Sequence, residues 1–342
     1  MPDSSVSIAL VLPHLGVFGG IRRFLELGEV WVKRGHRVAI FVPDPAAARP
    51  WLPFSGAILP LLELPLGGWD TVISPDPALF LDARSPGALR VYYSVLEKAP
   101  DEDRALRAAD LVLANSAGMR RYLARKGVKA WDASGGVNVE CFHPGPTVGA
   151  AGPVRALVYG RLSRLRKGTW MAVQALEGAA EAARVPVTLT LFDAVPEGET
   201  PALPRSLRIP HRWVLNPTPS ELAELYRASD LFISAERRAG WCNTAAEAMA
   251  SGTAVVCTRS GTEDFAIDGV TAVVSRWRFS WALASAIRPL LSDPLRRKAL
   301  AANGLGKIQE FSWERTADRI ETALAVASHG RSHGRDATAA AR

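Results

Sequence analysis

Short runs rich in Val, Ile and Leu recur at Ile8–Leu12, Val38–Val42, Thr71–Ser74, Arg90–Ser94 and Leu111–Asn115, separated by stretches with helix-like periodicity. A strand covered on both faces has no polar side, so such runs are the mark of buried parallel strands alternating with helices. The pattern breaks once. From Phe142 to Pro153 the chain reads as an interdomain linker, with His143-Pro144-Gly145-Pro146 followed by Gly149 and Gly152. A second series then begins, with strands expected at Ala156–Tyr159, Val187–Phe192, Trp213–Leu215, Leu231–Ser234, Ala254–Thr258 and Thr271–Val274. Helices are expected at Ser220–Ala228, Thr244–Ala250 and Ala282–Leu291. The expected fold is α/β, with two doubly wound Rossmann-like domains, each binding ligands at the carboxyl ends of its strands.

A length of 342 residues suits two such domains. The longest apolar stretch, Ala57 to Leu66, is too short and too interrupted to span a bilayer. An acidic residue, Asp3, precedes the first apolar run, unlike the basic start of a signal peptide, so a cytoplasmic protein is expected. Three scattered cysteines supply neither a disulfide framework nor a zinc site. Up to residue 150 there are 16 basic and 15 acidic side chains, against 25 and 19 in the remainder. The excess in the second half points to an anionic ligand. No basic stripe interleaved with aromatics marks a nucleic-acid partner.

Four loops could carry chemistry. The first strand leads into Gly16-Val17-Phe18-Gly19-Gly20 and a helix from about Ile21, where bare backbone and a helix N-terminus suit an anion, though a tight turn explains the glycines equally. After Tyr159 comes Gly160-Arg161-Leu162-Ser163-Arg164-Leu165-Arg166-Lys167-Gly168, whose four cations suit a diphosphate or, alternatively, form a solvated basic loop. Ser234 to Asn243 leads into the helix Thr244–Ala250, where Thr244 and Glu247 have capping-box spacing. Glu247 could instead accept from sugar hydroxyls. Asp101-Glu102-Asp103 has the spacing of a metal-binding Asp-x-Asp motif, but its place before a helical pattern favours a macrodipole role.

Together these segments resemble the family 4, or group 1, retaining glycosyltransferases of the GT-B fold, in order along nearly the whole chain. Gly19-Gly20 resembles the family's glycine pair beside donor phosphate and acceptor. Ser134-Gly135-Gly136-Val137-Asn138-Val139-Glu140-Cys141-Phe142-His143-Pro144 is similar to the family's domain junction, and Gly160-Arg161-Leu162 with Lys167-Gly168 to its diphosphate-binding loop. Glu247-Ala248-Met249-Ala250-Ser251-Gly252 resembles the end of the family's E-x7-E motif, and Phe311-Ser312-Trp313-Glu314 the start of a C-terminal helix that crosses back to the N-terminal domain. Three departures stand out. The first glutamate of E-x7-E is Ala239, for which Glu236 could substitute; no histidine follows Val91-Tyr92-Tyr93-Ser94; and a family glutamate is Asp264.

The resemblance implies an acceptor-side domain at 1–148 and a nucleotide-sugar domain at 153–310, facing across a cleft. A crossing helix at 311–327 and a disordered tail at 328–342 complete the expected organisation. It implies sugar transfer from a nucleotide-diphosphate donor, with retention of configuration and without metal or cofactor. Arg161 and Lys167 would stabilise the departing diphosphate, with Glu236 near the sugar. Donor binding would fall to Gly19, Gly20, Arg161, Lys167, Pro217, Thr218, Gly240, Trp241, Cys242, Asn243, Thr244 and Glu247. The acceptor is left open among glycan, lipid-linked and small-molecule classes. Peripheral contact with the inner membrane face is open too, through the basic amphipathic run Met119–Lys126. A nucleotide-sugar epimerase of the same fold, or a catalytically weak donor-binding partner protein, are the alternatives.

Overall fold

The computed structural model describes residues 5–16, 19–46, 48–146, 152–196, 198–199 and 201–339. The chain forms two compact units, Met1–Gly136 with Trp313–Arg342, and Val137–Ser312.

The first unit runs β1 (Ser7–Val11), α1 (Gly19–Lys33), β2 (Arg37–Val42), β3 (Ala57–Pro60), β4 (Thr71–Ser74), α2 (Pro77–Asp82) and β5 (Leu89–Ser94). It continues through α3 (Glu102–Ala108), β6 (Leu111–Ala114), α4 (Ala117–Arg125) and β7 (Trp131–Asp132). Its strands pair in parallel in the order β3-β2-β1-β4-β5-β6-β7. Every residue of β1 is buried, as its unbroken apolar run requires. The sequence reading missed β3 and β7, the two edge strands. β3 is half-exposed and ends on a proline, and β7 has only two residues, too few to show a period.

The second unit runs β8 (Val154–Tyr159), α5 (Thr169–Ala183), β9 (Val187–Asp193), β10 (His211–Leu215), α6 (Pro219–Arg227), β11 (Leu231–Ser234) and α7 (Asn243–Ala250). It ends with β12 (Ala254–Thr258), β13 (Val273–Ser275), α8 (Ser280–Ser292) and α9 (Pro294–Ile308). This parallel sheet has the order β10-β9-β8-β11-β12-β13. Strand order reverses between β8 and β11, so the loops that follow them diverge and leave a crevice at their carboxyl ends.

The last helix, α10 (Trp313–Ala339), belongs to the first unit. Trp313, Ala317, Ile320, Ala323 and Leu324 join the core formed with Phe24, Leu27 and Trp31 of α1. Arg34 at the end of α1 pairs with Asp318 and Glu321, both at 2.8 Å. Helix was expected to stop at 327 and disorder to follow, yet α10 runs on to Ala339; residues 340–342 lie outside the described ones. Once nucleated, each added residue gains a backbone bond, and Arg331 ties the extension down through Ala88 O at 2.8 Å and Asp110 at 3.3 Å.

The domain boundary also differs from the expected linker at 142–153. Phe142 is fully buried, 5.9 Å from Tyr226, so the segment before Pro144 is core of the second unit. Residues 147–151 of that linker lie outside the described residues. The chain passes between units at Gly136–Val137 and again at Ser312–Trp313. A Cβ on Gly136 would stand 2.0 Å from the Trp313 ring, and Val137 N donates to Phe311 O at 2.9 Å. Packing, rather than proline and glycine content, sets the boundary. Among the described residues no helix is long and apolar enough to cross a membrane.

β8 is fastened to β11 by Arg155 and Asp230. The guanidinium donates to both carboxylate oxygens at 2.9 and 2.8 Å, and Arg155 N adds a third bond at 2.9 Å. Burial raises the Asp230 carboxyl, but these bonds outweigh it and hold its pKa below the ordinary value. Asp230→Ala is expected to cost about 2 kcal/mol in a denaturant titration at neutral pH. Because the folded value is depressed, that difference should be complete above about pH 4 and vanish as pH falls through the depressed pKa.

Candidate functional site

The site is built from the loops leaving β8 and β11. Tyr159 ends β8, its ring stacked 5.2 Å from Phe192. Gly160 turns the chain where a Cβ would meet the Trp213 ring at 2.3 Å. Arg161 then donates to Ala194 O and, at 3.3 Å, to Asp193 at the end of β9. A single turn, Leu165–Lys167, closes on Gly168, whose φ is +65° and whose Cβ would stand 2.0 Å from Ala235 O. That contact, with Arg237 N donating to Arg166 O at 2.7 Å, presses the two loops together. Across the seam Lys167 Nζ bonds Glu236 Oε1, 5.5 Å from the centre of the Tyr159 ring.

Both cations are thus held by carboxylates whose own pKa is raised. Burial lifts Asp193, against the Ala194 amide and Arg161, and burial lifts Glu236, against Lys167 and Arg166. Glu236 is 3% exposed, and its Oε2 is buried without a hydrogen-bond partner. It borders a void of about 10 Å³ with Tyr159, Lys167, Ser234 and Thr244. The Tyr159 hydroxyl is pushed up to about 12 by burial, then by Asp193, Glu236 and Glu247, so one half-buried ring lies within electrostatic reach of all these acids and of Arg161.

Glu247 stands here for a reason other than capping. α7 begins at Asn243 with Cys242 as its N-cap and no side-chain cap bond, so the expected Thr244–Glu247 capping box is absent. Cys242 N is held by Gly261 O at 2.8 Å, and with the helix begun at Asn243 the Thr244 backbone is helical and lacks the extended geometry of a capping residue. Its buried carboxylate accepts instead from the Tyr226 hydroxyl at 3.0 Å. The Thr244 hydroxyl lies 3.6 Å from Cys242 Sγ, and that thiol is pushed up to about 11 by burial and by Glu236.

The remaining candidates fall into three groups. Pro217 and Thr218 sit one loop from Arg161, because Asn216 N donates to Asp193 O at 2.7 Å and Val195 N to Asn216 Oδ1 at 2.8 Å. Thr218 caps α6 in a complete capping box with Glu221, leaving its side chain engaged. Gly240 and Asn243 are half-buried in the loop before α7, but Trp241 is core, its ring 4.9 Å from Phe265 and 5.4 Å from Phe311. Gly19 and Gly20 open α1 in the other unit; Val17 and Phe18 before them lie outside the described residues. Ala239, in place of the family glutamate, donates its amide to Ser260 Oγ at 2.9 Å.

Sequence reasoning missed Tyr159, Asp193 and Tyr226. Each reads as ordinary strand or helix filler, and only strand order reveals that Tyr159 and Asp193 end neighbouring strands beside Arg161. Asp101-Glu102-Asp103 serves the first unit's interior as well as a helix start: Glu102 accepts from Tyr122 at 2.5 Å and Lys126 at 2.7 Å, and Asp103 from Lys126 at 2.7 Å.

Residues 153–293 match the family model described as glycosyl transferases group 1. A D-inositol 3-phosphate glycosyltransferase of Rhodococcus opacus is 33% identical over 117 residues, 34% of this chain and 26% of that protein. Its counterpart in Geodermatophilus obscurus is 37% identical over 108 residues, 31% of this chain and 23% of that protein. The chain therefore matches about a quarter of these curated relatives' length. Among solved structures, sucrose-phosphate synthase from Thermosynechococcus elongatus superposes with a TM-score of 0.74 at 20% identity, covering 95% of this chain and 100% of that one. Anabaena HepE in complex with UDP and glucose superposes at 0.71 with 16% identity, covering 94% and 100%. The two doubly wound domains are those of the GT-B fold.

The seam makes a stability prediction. Gly168→Ala should lower the melting temperature by at least about 4 °C, from the left-handed backbone and the collision with Ala235 O. Gly178→Ala, inside α5 with nothing within 4 Å of the new Cβ, should raise it by about 2 °C.

Proposed function

We propose, from the premise that residues 153–293 are a group 1 glycosyl transferase domain, that this chain transfers a hexose from a nucleotide-diphosphate sugar to an acceptor with retention of configuration. The observation that carries the reading is the gathering of Arg161, Lys167, Glu236 and Glu247 around Tyr159 where the strand order reverses. Breaking the anomeric bond builds negative charge on the departing diphosphate, and preorganised cations stabilise that charge most where water is scarce. Arg161 and Lys167 supply it at the carboxyl end of β8. In this reading they do the work a divalent metal does elsewhere, and no cofactor takes part.

Glu247 holds ribose hydroxyls beside Tyr226, and the backbone at Pro217 and Thr218 lines the base. The open Oε2 of Glu236 accepts from a sugar hydroxyl, the part the family assigns to the residue replaced by Ala239. Gly240, Asn243 and Thr244 border the phosphates at the start of α7, whereas Trp241 and Cys242 shape that loop from beneath. A UDP-sugar is the first donor to try, because HepE, of the same fold, is known with UDP and glucose bound. The acceptor class stays with glycan, lipid-linked and small-molecule hydroxyls, phosphorylated inositol among them because relatives carry that name. A cytoplasmic location follows from the cytoplasmic supply of such donors.

The test is ligand-induced thermal stabilisation by UDP and UDP-sugars with EDTA present. Lys167→Ala should weaken binding by about tenfold to a hundredfold, the worth of a charge-assisted bond. Glu247→Gln should keep the Tyr226 bond and the melting temperature while losing affinity. If no nucleotide stabilises the wild type, the donor site is wrong. Glu236 adds a pH signature, since its raised pKa means that falling pH neutralises it and frees Lys167 for phosphate. UDP-sugar binding should tighten as pH falls through the raised Glu236 pKa, and Glu236→Gln should bind tightly with a flat profile. Ala239 favours a second reading, a donor-binding partner with little turnover. An inert wild type whose Ala239→Glu variant turns over would establish that one.

A further inference from the structure

The second unit carries a cluster of large apolar side chains that nothing covers. Trp277, Phe279 and Trp281 are 51%, 57% and 63% exposed, although they span only the end of β13 and the first turn of α8. The Phe279 and Trp281 rings stack on each other, 6.0 Å apart and 8° from parallel. Burying one ring against another in this way leaves a single shared apolar face turned outward. Arginines alternate with the rings in a short stretch that the sequence reading passed over: Arg276 lies 5.3 Å over Trp277, and Arg278 follows.

Arg278 extends the patch. Its guanidinium donates to Arg237 O at 2.9 Å and Arg259 O at 3.0 Å, joining the loops after β11 and β12. Arg237 N in turn bonds Arg166 O, beside Leu165, which is 84% exposed. The result is a belt along the carboxyl edge of the sheet in which apolar side chains and arginines alternate. Among the described residues no ion pair reaches Arg166, Arg237, Arg276 or Arg278. Of the acids nearby, Glu236 is buried on Lys167 within the field of Arg166, and Asp268 accepts from Val274 N at 2.9 Å.

We propose that this belt seats the second unit on an anionic lipid surface. Indole and phenyl rings belong at the boundary of headgroup and acyl chain, and arginines without a carboxylate partner at the same level meet lipid phosphates. The helix weighed for this role from sequence does not serve, because Met119, Tyr122 and Leu123 of α4 turn their apolar side into the first unit and Lys126 is bound to Glu102 and Asp103. Docking at the belt would bring the loops of Arg161, Lys167 and Glu236 close to the headgroups, where a lipid-borne acceptor would present its hydroxyl.

The experiment is co-sedimentation of the full chain with vesicles of phosphatidylcholine alone and of phosphatidylcholine with phosphatidylglycerol, at low and high salt. Wild type should sediment with the anionic vesicles and be released as salt rises. Trp277→Ser/Phe279→Ser/Trp281→Ser should reduce that binding by about tenfold or more, with its melting temperature and UDP stabilisation unchanged. Arg276→Gln should weaken the salt-dependent part alone. A wild type that stays in the supernatant, a triple variant that sediments as before, or sedimentation indifferent to lipid charge would overturn the proposal. So would a patch that proves to bury itself in a second copy, seen as a wild-type dimer that the triple variant abolishes.

Discussion

Lys167 and Glu236 meet across the gap where the second sheet reverses its order, and the candidate site is organised around that contact. Parallel strands diverge there by geometry, so their loops would part unless something drew them together. Three contacts do so: the ion pair, the amide of Arg237 on the carbonyl of Arg166, and the bare backbone of Gly168 against Ala235. Each depends on the others. Gly168 must lack a side chain for the loops to approach, and the approach brings the lysine within reach of the carboxylate.

Counter-charge is the second theme. A loop with four cations in seven residues would repel itself and remain solvated unless its charges were answered. Here Arg161 is answered by Asp193 and Lys167 by Glu236, both drawn from strand ends and both buried enough to resist ionisation. The cations are therefore held in place without being permanently neutralised, an arrangement suited to an incoming anion that can displace a weakly held partner.

Much of this was legible in the residues. The strand spans Leu231–Ser234 and Ala254–Thr258 match the structure residue for residue, since central parallel strands must be apolar throughout. The two-domain α/β fold was readable for the same reason, and the group 1 likeness from the loop motifs around Arg161, Lys167 and Glu247. What the residues hid depended on neighbours far along the chain. Thr244 and Glu247 have ideal capping spacing, yet Gly261 starts the helix before Thr244 and gives Glu247 to Tyr226. Trp241 lies in a binding motif and is nonetheless core, held between Phe265 and Phe311. The linker composition around Pro144 is genuine, but the chain changes units earlier, at Gly136, because Trp313 fills the space beside it.

α10 packs against the first helix, closing a core opened by β1 and α1 some three hundred residues earlier. On the ribosome the second unit, contiguous in sequence, can finish folding as soon as Ser312 has emerged. The unit synthesised first must wait, with the seat of Trp313 and Ile320 open to water, until α10 has been made. A message cut short before codon 313 would thus yield a folded second unit tethered to a sticky, unfinished partner, a natural substrate for chaperones and proteases.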